Sequence, residues 1–238
     1  MNILRAEPLA YLKQLAEREP EIILDLPARP AETVAAPDDR PERLAELERE
    51  ALSCVRCRLA ETRRNVVFGV GDPRAKLLFI GEAPGADEDR LGEPFVGRAG
   101  QLLNKILPAM GLERREVYIG NILKCRPPGN RNPLPDEAAA CLPYLRSQVD
   151  IIQPRVIIAL GLIAAVYLLN IKPNVAVKAL RERVWGCRGR PLVVTYHPAA
   201  LLRTPSLKAP LWQDMQLAIK LLSGEIDWKP ERNLVLEV

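Results

Sequence analysis

The chain has one histidine, three phenylalanines, three tryptophans and three methionines among its 238 residues, and aromatic residues make up only 5% of it. A single imidazole and the absence of any His-Glu-x-x-His leave too few nitrogen ligands for a zinc-dependent hydrolase. Nucleotide signatures are missing as well: there is no Gly-x-Gly-x-x-Gly and no Walker sequence ending in Lys-Ser/Thr. No apolar run approaches the ~20 residues of a membrane span. The N-terminus, Met1-Asn-Ile-Leu-Arg-Ala-Glu7, brings acids too early for a signal peptide, so the expected location is cytoplasmic.

What remains is the composition of a folded protein, 48% hydrophobic and 27% charged, enough for one ordinary domain and an appendage. The net charge of +4 is unevenly spread. Residues 1–50 hold 7 Lys/Arg against 12 Asp/Glu, a net of −5, which leaves 27 against 18, or +9, for residues 51–238. A basic body suits a polyanion, because displaced counterions supply most non-specific nucleic-acid affinity. Many basic domains bind no nucleic acid, and charge alone leaves both readings open.

Residues 1–19 have the pattern of a short amphipathic helix. Leu26–Glu42, with Pro27, Pro30, Pro37 and Pro41, reads as an extended linker. A helix is expected from near Pro41 toward Cys54. Strands are then expected at Asn65–Phe68, Leu77–Ile80, Val117–Leu123, Val156–Leu160 and Pro191–Tyr196. Helices are expected at Gly97–Met110, Asp136–Val149, Ile163–Leu169 and Pro210–Leu222. Such alternation predicts an α/β fold with a largely parallel sheet covered on both faces. The expected divisions are an acidic extension over 1–45, a body over 46–225 and a tail over 226–238.

The richest stretch is Lys76–Arg90, followed by Pro94–Gly100. An apolar strand ends in Gly81-Glu-Ala-Pro-Gly85, a turn carrying Glu82 with further acids behind it, and Phe95 is expected to stand exposed before a small-residue helix start. Most Gly-rich turns after strands are loops or phosphate cradles. Here the acids would repel phosphate, so the turn reads as chemistry at a strand end.

Cys54, Cys57, Cys125 and Cys141 form two pairs, the second without zinc-ribbon spacing. They are either reduced buried thiols or four thiolates suited to a [4Fe–4S] cluster, which accepts irregular spacing. Cys187 is left over and reads as structural. His197, held in extended backbone by Pro198 at a strand exit, is either a satisfied structural group or a catalyst. Leu201 and Leu202 beside Arg203 can be wedges for a base stack, or the start of a helix facing the core. In the loop Gly120–Pro133, the Asn121 amide can read a planar base edge, and Lys124, Arg126 and Arg131 suit phosphates.

Taken together, Gly81-Glu-Ala-Pro-Gly85 with Glu88-Asp89, Pro94-Phe-Val-Gly-Arg-Ala-Gly-Gln-Leu-Leu103, Asn121-Ile-Leu-Lys-Cys-Arg-Pro-Pro-Gly-Asn-Arg131 and His197-Pro-Ala-Ala-Leu-Leu-Arg203 resemble the family 4, iron–sulfur-containing uracil-DNA glycosylases. The likeness runs from about Cys54 to Leu222, in order, with all four paired cysteines. The first fifty residues match nothing recognised. The resemblance implies a three-layer α/β/α sandwich around a short, mostly parallel sheet, with a [4Fe–4S] cluster on the four cysteines. It implies a monofunctional enzyme that rotates uracil out of DNA and hydrolyses its N-glycosidic bond, leaving an abasic site.

On that likeness, Phe95 stacks on uracil, Asn121 pairs with its O4 and N3 edge, and Glu88 with nearby backbone crowds C5. Gly81 and Gly85 complete the uracil site. His197 donates to uracil O2, and Glu82 positions water and stabilises the cationic sugar. Leu201 or Leu202 fills the gap left by the base, while Arg126, Arg131 and Arg203 take phosphates. The expected substrate is uracil-containing DNA, single- or double-stranded, bound by a monomer with no membrane partner. The N-terminal extension can dock a protein partner or mask the basic face. The competing readings are a non-catalytic iron–sulfur nucleic-acid-binding module and a glycosylase of broader base range.

Overall fold

A computed structural model describes residues 38–229; the expected helix over 1–19, most of the expected linker and the end of the tail lie outside them. The described chain runs α1 (Arg40–Leu52), β1 (Val70–Gly71), β2 (Leu77–Gly81), α2 (Ala86–Leu91), α3 (Arg98–Ala109), β3 (Tyr118–Asn121), α4 (Pro135–Ile152), β4 (Val156–Leu160) and α5 (Leu162–Leu169). It continues with α6 (Val177–Leu180), β5 (Val184–Cys187), β6 (Arg190–Thr195), α7 (Pro198–Arg203) and α8 (Lys208–Ser223). The sheet order is β1-β3-β2-β4-β6-β5. The inner four strands are parallel, and the two edge strands run antiparallel to them.

β2, β3 and β4 are buried throughout, as near-continuous apolar runs must be when helices cover both faces. Their alternate side chains feed two cores. Leu78, Ile80, Ile157 and Ala159 meet α1, α4 and α5 on one face, whereas Leu77, Phe79, Ile158 and Leu160 meet α3 and α8 on the other. From the central β2 the chain passes first to β3 on one side and later to β4 on the other. Such a reversal leaves a crevice outside the carboxyl ends of the strands.

Three expectations are corrected here. The helix expected from near Pro41 is α1, with Pro41 in its first turn, so the linker expected as far as Glu42 gives way at Arg40. Asn65–Phe68 forms no strand: the chain beside it lies past the end of β3, where Val67 N–H reaches Lys124 O (2.7 Å), and the ladder forms at Val70 and Gly71 instead. β5 was not foreseen. It pairs with β6 through a two-residue connection, Arg188-Gly189, whose φ angles of 48° and 70° match the primed turn of a tight hairpin.

Candidate active site

Segments following β2, β3 and β6 converge at the crevice around a cleft of about 460 Å³ lined by Glu82, Glu88, Phe95, Asn121 and His197, among others. The ends of β2 and β3 stay joined beyond the ladder, because Ile122 N–H donates to Gly81 O and Leu123 N–H to Glu82 O, each at 3.0 Å. Gly81 is needed by its neighbours. A Cβ there would lie 2.4 Å from Asn121 Oδ1 and 2.7 Å from Phe95 Cζ, so only glycine lets both side chains fold over the strand end.

Phe95 is not the exposed aromatic the sequence suggested. It is 5% exposed and packs with Leu103 and Leu201, offering the cleft one surface of its ring. Its φ of 54° is left-handed, an uncommon state for a bulky residue and one that surrounding structure must enforce. Part of that enforcement comes from Glu88, whose carboxylate accepts N–H bonds from Gly85 (3.1 Å), Val96 (3.0 Å) and Gly97 (2.9 Å). Glu88 therefore ties the Gly81–Gly85 turn to the Phe95 turn, and its position at the cleft wall is fixed by backbone amides.

His197 caps α7, and its Nδ1 accepts the Ala199 N–H at 3.2 Å. With Nδ1 used as an acceptor, the neutral ring carries its proton on Nε2. Crowding by protein pushes the imidazole down to about 4, the Arg203 charge acts the same way, and Glu88 opposes. Gly161, at φ 95°, leaves room behind it: a Cβ there would approach His197 Cβ to 3.0 Å. The Phe95 and His197 ring centres are 5.6 Å apart. Burial raises the Glu82 carboxyl above its ordinary value. Asn121 is buried at the end of β3, its carbonyl held by Lys124 Nζ at 2.9 Å.

The loop after β3 redistributes the expected phosphate contacts. Lys124 is 2% exposed and donates to Asn121 O and to Gln148 Oε1 (2.6 Å), so it braces the strand end and does not reach solvent. Arg131 lines the cleft but is gripped at both ends of its fork by the fully buried Glu137, at 2.6 and 2.8 Å. Arg126 bonds Asn130 (2.8 Å), and Arg203 is exposed at the cleft rim. On α7 the two leucines separate: Leu201 is 2% exposed and belongs to the core, so the wedge role does not fall to it, whereas Leu202 is 41% exposed.

Cys54 and Cys57 are half-buried, Cys125 and Cys141 buried, and all four are free thiols lining one small cavity. Arg63 Nη1 points at Cys125 Sγ (3.3 Å), and Lys124 N–H at Cys141 Sγ (3.2 Å). Among the described residues no group of three or more His, Cys, Asp or Glu side chains closes into a metal-holding set. The chemistry of the cavity still fits a thiolate-bound cluster: four sulfurs from three segments, with a guanidinium and a backbone amide aimed at two of them.

Several contributors carried no sequence signal. Gln148 reaches the site through Lys124, a partner that only folding brings near, Gly161 lies 36 residues from the histidine it accommodates, and Glu137 acts through Arg131 in the loop just before its helix. Asp89, in contrast, stood beside Glu88 in the sequence; buried, it accepts the Arg64 N–H at 2.9 Å and anchors the segment beside the cysteine cavity.

A parallel α/β sheet with a cleft of about 460 Å³ at its switch point, walled by an aromatic ring, an amide, an imidazole and a carboxylate, defines an α/β protein with a ligand-sized site at its strand ends. The sequence model of the Uracil DNA glycosylase superfamily matches residues 68–216, and the chain belongs to that family. It is 45% identical over 174 residues to the type-4 uracil-DNA glycosylase of Archaeoglobus fulgidus, covering 70% of this chain and 87% of that protein. It is 40% identical over 187 residues to the type-4 enzyme of Thermotoga maritima (77% and 97%), and 33% identical over 146 residues to the type-5 enzyme of Pyrobaculum aerophilum (55% and 64%).

Proposed function

We infer that this protein is a uracil-DNA glycosylase, which hydrolyses the bond between uracil and deoxyribose and leaves an abasic site. The observation that carries the reading is the neutral His197: with Nδ1 occupied, its Nε2–H is the donor available to the cleft. Uracil in a duplex is stacked and paired, so the nucleotide must swing out to be reached. Inside the cleft its ring lies against Phe95. The Asn121 amide offers one donor and one acceptor to the O4 and N3 edge, where uracil differs from cytosine. Glu88 holds the turns that crowd C5 and so disfavours thymine.

As the glycosidic bond breaks, electrons pass to the base and negative charge collects on O2. The His197 Nε2–H donates there, and a fixed donor of this kind supplies ~3 kcal/mol of transition-state stabilisation without moving its own proton. Glu82 offsets the positive sugar and orients the water whose oxygen bonds to C1′; the proton that water gives up balances the uracil anion that leaves with the bonding electrons. Leu202 fills the vacated stack, and Arg203 with Arg126 meets phosphates. Cys54, Cys57, Cys125 and Cys141 would hold a [4Fe–4S] cluster, whose part is structural cross-linking of α1, the β3 loop and α4.

The test is cleavage of a labelled oligonucleotide with one uracil, followed by alkali, using anaerobically purified protein with thymine and hypoxanthine strands alongside. A uracil-dependent break that falls by ~10²–10³ in His197→Ala is expected. No break from iron-loaded protein would return the binding-module reading to first place.

A further inference from the structure

Phe95 must hold its ring at the cleft while its backbone occupies a left-handed state that a phenylalanine does not choose on its own. Downstream, Glu88 fixes Val96 and Gly97. Upstream stands a side chain outside the cleft. Arg114, between α3 and β3, donates Nη2 to Pro94 O at 2.6 Å and Nη1 to Asn104 Oδ1 at 3.0 Å, with Glu93 3.6 Å away. α3 presses from below: a Cβ on Gly100 would fall 1.7 Å from Phe95 O, so helix and strained turn are in direct contact. The residue is thus bracketed by a guanidinium on the carbonyl before it and a carboxylate on the amides after it.

We propose that Arg114 is a positioning residue for uracil binding: by clamping Pro94 O and tying it to Asn104 of α3, it holds Phe95 in the left-handed turn that presents its ring to the base. The inference rests on the reading of Phe95 as the stacking wall. A planar fork that bonds a carbonyl and an amide oxygen at once suits this task, and an ammonium reproduces only one of the two bonds. Without the clamp the turn relaxes toward ordinary backbone and the ring leaves the cleft for part of the time. Binding then weakens while the chemistry of correctly bound uracil stays the same.

The experiment is a double-mutant cycle of Arg114→Ala and Phe95→Ala, reading kcat, KM and inhibition by free uracil, with the pH profile recorded for each variant. Arg114→Ala is expected to weaken free-uracil inhibition and raise KM roughly tenfold, the order of losing part of one base–aromatic stack, with kcat little changed. Arg114→Lys, which keeps one donor, should recover much of this. In the Phe95→Ala background, Arg114→Ala should add nothing, because its effect runs through the ring. Equal losses in both backgrounds, or loss of kcat with a shifted pH profile, would overturn the proposal and leave Arg114 a general structural residue. Unchanged uracil inhibition in Phe95→Ala alone would instead remove the stacking wall itself, and the proposal with it. Should Arg114→Ala fail to fold, Arg114→Gln, too short to reach Pro94 O and Asn104 together, and Asn104→Ala carry the same cycle.

Discussion

At the scale of the residue, His197 sets the pH behaviour. Its folded value of about 4 lies below the ordinary 6.5, so the folded protein holds the ring neutral where an unfolded chain binds a proton. Its contribution to stability is therefore complete above pH 6.5 and is lost as the pH falls from there toward about 4. The same shift removes any imidazole inflection near 6.5 from the pH profile of kcat, with the His197 limb appearing only toward 4. A profile of single-turnover rates with its midpoint near 6.5 would mean the ring titrates at its ordinary value and is not held neutral by its surroundings. Gly81 makes the complementary prediction. Gly81→Ala pushes on both Asn121 and Phe95, and is expected to cost about a hundredfold in kcat/KM, since misplacement by an ångström can do so. Its melting temperature should move far less than its activity.

At the scale of the element, α7 carries two leucines with opposite duties. Leu201 is packed among Phe79, Phe95 and Met215 in the core on the α3 and α8 face of the sheet, whereas Leu202 stands in solvent beside Arg203. Leu201→Ala is expected to lose about 2–5 kcal/mol of stability through the cavity it leaves. Leu202→Ala should change stability by less than ~0.5 kcal/mol. Its effect belongs in the ratio of activities on duplex and single strand, because only a duplex has a stack to refill. Thermal melts combined with both substrates separate these outcomes. α7 also shows a limit on what sequence conveys: Leu201-Leu202 was legible as a candidate pair, and only the helix phase against β6 and α8 decided which one faces water.

At the scale of the whole molecule, charge and the cysteine cavity govern behaviour. The +9 of residues 51–238 predicts that log KM for DNA rises linearly with log salt, and the −5 of residues 1–50 is the basis for supposing that the extension masks that face. Because α1 begins at Arg40 and packs on α4, the informative deletion ends at residue 37. Removing residues 1–37 keeps α1 whole, and unchanged DNA affinity at low and high salt would eliminate masking. Cys141→Ala, by contrast, removes a sulfur from the cavity that α1, the β3 loop and α4 share; it is expected to lower iron content and thermal stability together.

The sequence by itself determined the alternation of strands and helices, the parallel sheet and the residues of the cleft: strands buried on both faces need continuous apolar runs, and site residues follow strand ends. Glu82, Asn121 and His197 were legible for that reason. Tertiary structure alone decided who partners whom. Lys124 and Arg131 look like solvent-facing cations in the chain, yet Asn121 O and Glu137, close in sequence, and Gln148, on a helix that meets the loop only after folding, capture them. Phe95 looked exposed because it stands in a Pro- and Gly-rich loop, outside any strand or helix pattern; the left-handed turn that buries it arises from Gly100, Glu88 and, by our proposal, Arg114 closing around it. Local pattern reports the preference of each residue, and burial of a polar or strained group depends on compensation from a distance.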